Sequence, residues 1–152
     1  MIYIVTDHAG FELKNQIVEY LKAKGSAVED CGPFAYDKED DYPDLIYPCA
    51  MKVACGGPED RGIILGMSGQ GEAIVANKAR GIRAVVYNCE NLEIIRLSRQ
   101  HNDANVLSLG AKFLSMDHLK EAIDLWLATP FEGGRHQRRI DKITKIESET
   151  FK

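Results

Sequence analysis

No CxxC pair occurs among the four cysteines, Cys31, Cys49, Cys55 and Cys89, so neither a zinc knuckle nor a dithiol redox motif is encoded. Scattered singly, they read as reduced and mostly buried thiols, each behaving as a small hydrophobe. No apolar run approaches the ~20 residues that span a bilayer. The N-terminus enters Ile2-Tyr3-Ile4-Val5 with neither a basic stretch nor a signal-type apolar core, so a cytoplasmic protein with no membrane partner is expected. A basic field is missing as well. Nineteen Lys and Arg stand against 23 Asp and Glu, a net charge of −4, which disfavours a nucleic-acid partner. Repeats, low-complexity tracts and linkers are absent, and the 152 residues read as one domain, 1–152.

What is present is alternation. Ile2–Thr6 reads as a strand, and residues 10–24 as a helix with Leu13, Ile17, Tyr20 and Leu21 on one face and Gly25 at its end. Ala27–Cys31 is a second strand, followed by an acidic loop from Pro33 to Asp41 and a helix aligning Leu45, Cys49 and Val53. Strands at Gly62–Leu65, Ile82–Tyr87 and Val106–Leu109 follow, each with a helix after it, and a last helix carries Ile140, Ile143 and Ile146. Strands alternating with helices imply βαβ units, hence a Rossmann-like three-layer α/β/α domain around a five-stranded parallel sheet. In such sheets ligands bind beyond the carboxyl ends of the strands.

The third strand opens into Gly66-Met67-Ser68-Gly69-Gln70-Gly71-Glu72. Its glycine order is neither the dinucleotide fingerprint nor a Walker loop. Bare amides at a helix start favour an anion, and Glu72 sets a carboxylate beside them, which fits a base next to a transiently negative substrate. Asp7 and His8 follow the first strand, either as helix cap and turn or as ligands of a polyhydroxylated molecule. Arg99, His101, Asn102 and Asp103 lie just before the fifth strand and are expected at the same sheet edge. The one strong basic cluster, Gly133-Gly134-Arg135-His136-Gln137-Arg138-Arg139, suits a small phosphorylated substrate, since guanidinium forks bind phosphate bidentately.

Asp7-His8-Ala9-Gly10-Phe11-Glu12-Leu13-Lys14, Asp41-Tyr42-Pro43-Asp44, Ala76-Asn77-Lys78, Arg99 to Asn105 and Gly133 to Ile140 together resemble the sugar-phosphate isomerase family of type B ribose-5-phosphate isomerases and galactose-6-phosphate isomerase subunits. The resemblance runs from Ile2 to about Ile146. It implies a Rossmann-like fold, no metal or other cofactor, and homodimers or homotetramers whose active sites are shared between subunits. It further implies that Asp7 and His8 hold the sugar. His101 from the neighbouring chain would promote ring opening with Asn102 beside it, and Arg135, His136 and Arg139 would grip the phosphate.

Two departures stand out. Many members carry Cys-Gly-Thr-Gly, with the cysteine as base, where this chain has Gly66-Met67-Ser68-Gly69. Another branch places a glutamate just after the glycine loop, and Glu72 matches that branch. Lys112 stands where many members have an arginine, keeping the charge of a phosphate ligand without its planar fork. The expected reaction is aldose–ketose isomerisation of ribose 5-phosphate and ribulose 5-phosphate through a cis-enediolate. Glu72 would be the base, with Ser68, Gly69 and Gly71 at the oxyanion. Two alternatives are the same chemistry on a hexose or tetrose phosphate, with Met67 narrowing the pocket, and a non-catalytic sugar-phosphate-binding subunit.

Overall fold

A computed structural model describes residues 1–151. In it the alternation becomes β1 (Ile2–Thr6), α1 (Phe11–Ala23), β2 (Val28–Asp30), α2 (Tyr42–Cys55), β3 (Arg61–Gly66), α3 (Gln70–Ala76), β4 (Ala84–Tyr87), α4 (Leu92–Gln100), β5 (Val106–Gly110), α5 (Met116–Ala128) and α6 (Arg135–Thr150). All five strands are parallel, in the order β2-β1-β3-β5-β4.

The period-two alternation of the strands divides the core into two layers. Ile4, Ile63, Leu65, Leu107 and Leu109 face α1, α4 and α5, whose Ile17, Leu21, Ile95, Leu119, Ile123 and Trp126 are buried with them. Val5, Ile64 and Val106 point the other way, onto Ile46, Cys49, Ala50 and Val53 of α2 and Ala76 of α3. Each fully buried Leu, Ile or Val contributes roughly 1.5–3 kcal/mol of apolar transfer, so both faces hold the sheet. The buried stripe of α2 runs through Ile46, Cys49, Ala50 and Val53, so Cys49 and Val53 lie where expected, and Leu45 packs against the same layer partly covered.

Two consequences position the site. The chain leaves β1 toward α1 on one face and β3 toward α3 on the other, so a crevice opens between the carboxyl ends of β1 and β3. Opposite it, at the amino ends of the strands, lie the residues that precede them. Gly62 N donates to Asn105 O, and Arg83 N to Asn105 Oδ1. The expectation that Arg99, His101, Asn102 and Asp103 share an edge with Asp7 and Glu72 is therefore corrected. In a parallel sheet, residues just before a strand sit at its amino end, roughly 15 Å along the strand from those just after it.

Helix α6 buries only His136 and Ile140, leaving Ile143 and Ile146 about half exposed.

Candidate active site

At the crevice, β3 ends on Gly66 because the space beside its Cα is taken by the Glu72 side chain. A Cβ built there would lie 2.0 Å from Glu72 Cδ and Oε1. Gly69 bends the loop with a φ of +78° and accepts from the buried Ser108 Oγ at 2.6 Å, which starts α3 at Gln70. The rest of the loop is pinned from β5. Ala111 N donates to Gly66 O, Lys112 N to Met67 O, and Asn88 Nδ2 to Ser68 O. Among the described residues, the amides of Ser68, Gly69 and Gly71 find no protein acceptor, while Gln70 N donates to Ser68 Oγ. Free donors and a fixed carboxylate thus share one loop.

Glu72 is 5% exposed and Asp7 6% exposed. Burial raises the Glu72 pKa, and the charge of Asp7 raises it further. Asp7 is also raised, by burial foremost, although its carboxylate caps the turn by accepting from Ala9 N at 2.9 Å. Burial thus favours the protonated form of both carboxyls, and in Glu72 the charge of Asp7 adds to it, which suits a group that must take up and return a proton.

His8 is oriented by Asp40, a residue the sequence hides in the acidic run Asp37-Lys38-Glu39-Asp40-Asp41. Asp40 Oδ1 lies 2.5 Å from His8 Nδ1 and also accepts from His8 N at 3.2 Å. The pair leaves Nε2 for a ligand, and the hydrogen bond to Asp40 raises the His8 pKa, with Asp7, Asp40 and Asp37 adding charge in the same direction. The stability this lends is fully present below the ordinary imidazole pKa of about 6.5 and is lost as pH rises through the raised one. Asp40→Asn is expected to lower the melting temperature near pH 6 and to leave it close to wild type near pH 9, a difference that calorimetry at the two pH values reads directly.

Lys112 is exposed on the segment that pins the loop, and Met67 stands 54% exposed at its tip. Asp7, His8, Ser68, Gly69, Gly71, Glu72 and Lys112 therefore belong to one edge.

His101, Asn102, Arg135, His136 and Arg139 gather at the other end of the molecule. The His101 ring stacks on His136 at 4.1 Å with planes 12° apart, and Glu132 N, ahead of α6, donates to Gln100 O. Arg135, Arg139 and Asn102 are exposed, whereas His136 is buried. Burial lowers the His136 pKa, and the charges of His101 and Arg135 lower it further. His136 thus supports the His101 ring from beneath, and the free cations of the cluster are the arginines.

Among the described residues, two groups bring three side chains of metal-ligating type together, Asp7-His8-Asp40 and His101-Glu132-His136. The first is committed to the His8–Asp40 bond and the Asp7 cap. In the second the parallel stacked rings send their in-plane lone pairs side by side, so they do not converge on one ion.

Residues 2–143 match the ribose/galactose isomerase family. The chain is 43% identical to a probable ribose-5-phosphate isomerase B of Mycoplasma genitalium, over 98% of this chain and 97% of that one. It is 45% identical to the ribose-5-phosphate isomerase B of Escherichia coli, over 93% and 92%. A crystal structure of the Mycoplasma genitalium ribose-5-phosphate isomerase B with bound ribulose 5-phosphate superposes with a TM-score of 0.93 at 42% identity, covering 98% and 97% of the two chains. The Clostridium thermocellum ribose-5-phosphate isomerase B does so at 0.90 and 42%, covering 97% of each. With the β1/β3 crevice, the glycine loop and this similarity along nearly its whole length, the chain belongs to the ribose/galactose isomerase family.

Proposed function

We propose that this protein interconverts ribose 5-phosphate and ribulose 5-phosphate, with Glu72 as the proton shuttle and each active site assembled from two copies of the chain. The observation that carries the chemistry is the buried Glu72 carboxylate seated against Gly66, beside Asp7 and the unpaired amides of the loop. Glu72 removes the C2 proton of the opened aldose, forming a cis-enediolate, and returns the proton to C1 while the O2 proton passes to O1. The amides of Ser68, Gly69 and Gly71 face the developing oxyanion, where each donor is worth ~3–4 kcal/mol. Asp7 and the His8–Asp40 pair hold the hydroxyls, and Lys112 adds charge at the rim.

Ring opening and the phosphate grip fall to the second copy. His101, Asn102, Arg135 and Arg139 lie roughly a strand's length from Glu72 in their own chain, too far to share one pentose with it. A neighbour that brings its amino-edge cluster to this crevice completes the site. Apolar groups flank both halves, with Ile74, Phe113 and Met67 exposed at the crevice and Ile143 and Ile146 exposed on α6, as an unpaired interface requires.

The test is incubation of the purified protein with ribose, allose, galactose and erythrose phosphates in deuterated water. Ketose formation from ribose 5-phosphate with deuterium uptake is expected. Turnover confined to a hexose or tetrose phosphate moves the substrate but keeps the chemistry, and binding without exchange reduces the protein to a sugar-phosphate-binding subunit.

A further inference from the structure

We infer that Asp103, clamped between Arg83 and Arg99, is a positioning residue that fixes His101 and Asn102 for ring opening; the inference rests on the isomerase reading above. Helix α4 ends at Gln100, and the His101 amide caps it by donating to Leu97 O at 2.9 Å. The chain then folds back. Asp103 N donates to Arg99 O and Ala104 N to Ser98 O, which turns the backbone through a φ of +43° at Asp103. Among the described residues it is the one non-glycine residue with positive φ.

Gly25, after α1, and Gly81, before β4, take the same left-handed conformation with φ of +79° and +82° and nothing within 4 Å of a would-be Cβ. Those turns use the residue that adopts the conformation at no steric cost. The turn that carries His101 uses an aspartate instead, for which the conformation is less free than for glycine, and commits its carboxylate on both sides. Asp103 Oδ1 accepts from Arg99 Nη1 at 2.8 Å and Oδ2 from Arg83 Nη2 at 2.9 Å.

The two guanidiniums hold the backbone as well as the carboxylate. Arg83 Nε donates to the carbonyls of Asn102 and Asp103, and Arg99 donates to Ala104 O and Thr129 O. Arg99 is 4% exposed and lies over the Trp126 ring, which anchors the turn to the core. Arg83 closes it from the solvent side, beside a cavity of about 230 Å³ that Arg61 and Asp103 also line. Asp103 is the carboxylate that Arg83 and Arg99 share, whereas Arg61, across the same cavity, pairs with Glu59. The turn is therefore rigid where its sisters are permissive, and the group it holds rigid is the His101–Asn102 pair.

The step served is ring opening. The C1 hydroxyl gives up its proton as the bond from C1 to the ring oxygen breaks, and the ring oxygen takes a proton, with His101 as carrier. Ribulose 5-phosphate has its O5 esterified and its carbonyl at C2, so it is open-chain and bypasses this step. Its C1 hydrogen exchange uses Glu72 and the loop amides and does not call on His101 as proton carrier.

The experiment compares wild type, Asp103→Asn and Arg83→Gln in two assays, isomerisation of ribose 5-phosphate and deuterium uptake at C1 of ribulose 5-phosphate. Isomerisation is expected to fall about a hundredfold, the scale of a 1 Å misplacement, while uptake into the ketose persists at the wild-type rate. Parallel loss of both activities would mean a general structural role, and full isomerisation in the variants would mean none; either overturns the inference. Should Asp103→Asn not fold, Arg83→Gln carries the test, because the Arg83 side chain lines the cavity and is partly exposed. Wild-type protein that neither isomerises nor exchanges refutes the isomerase reading itself, a result these variants cannot mimic.

Discussion

Glu72→Gln is expected to lower turnover roughly a thousandfold or more, in the upper range for loss of a positioned general base, while affinity for the phosphate end of the substrate stays near wild type. The amide is isosteric and keeps the packing against Gly66, but it cannot accept the C2 proton. Since the arginines that grip the phosphate lie in the other cluster, binding and chemistry separate in this variant, and kcat collapses with little change in KM. Gly66→Ala reaches the same loss by another route. The methyl group would fall at 2.0 Å from the carboxyl carbon, so Glu72 must leave the crevice. Any side chain at position 66 and the Glu72 carboxylate in its present place exclude each other, since a Cβ at 66 would overlap that carboxylate.

The same burial that tunes Glu72 costs stability. Its folded pKa is raised, first by burial and then by Asp7, so the folded state holds the proton more tightly than the unfolded chain does. Stability therefore falls as pH rises through the ordinary carboxylate range toward the raised value. Glu72→Gln should melt above wild type at pH 8 and converge with it near pH 4. A variant that melts lower at pH 8 and retains turnover would remove Glu72 from the base role.

The architecture was legible because βα alternation leaves few packings, and hydrophobic period alone distinguished five strands from the helices between them. The glycine loop was legible for the same local reason, since bare backbone followed by a helix start has few uses. What sequence could not supply was direction. The segment around His101 precedes β5, and parallel strands send it to the amino edge, away from Glu72. Asp40 was hidden differently. In a run of acids, four within five residues, nothing local marks the one whose carboxylate turns inward to His8.

The separation of the two clusters leads to the sharpest expectation, intersubunit complementation. Glu72→Gln homomers and His101→Ala homomers should each be nearly inactive, for in both every site lacks one partner. Co-refolding equal amounts yields half mixed dimers by random assortment. Under two-fold symmetry each mixed dimer has one doubly damaged site and one intact one. Activity should therefore return to about a quarter of wild type, from two proteins that have almost none. Mixing the folded homomers without subunit exchange should restore nothing, which separates true hybrids from carry-over of active protein. If verified hybrids stay inactive, Glu72 and His101 must act within one chain. That would demand a rearrangement carrying His101 along the full length of the sheet, against the Arg83–Asp103–Arg99 clamp that holds its turn in place.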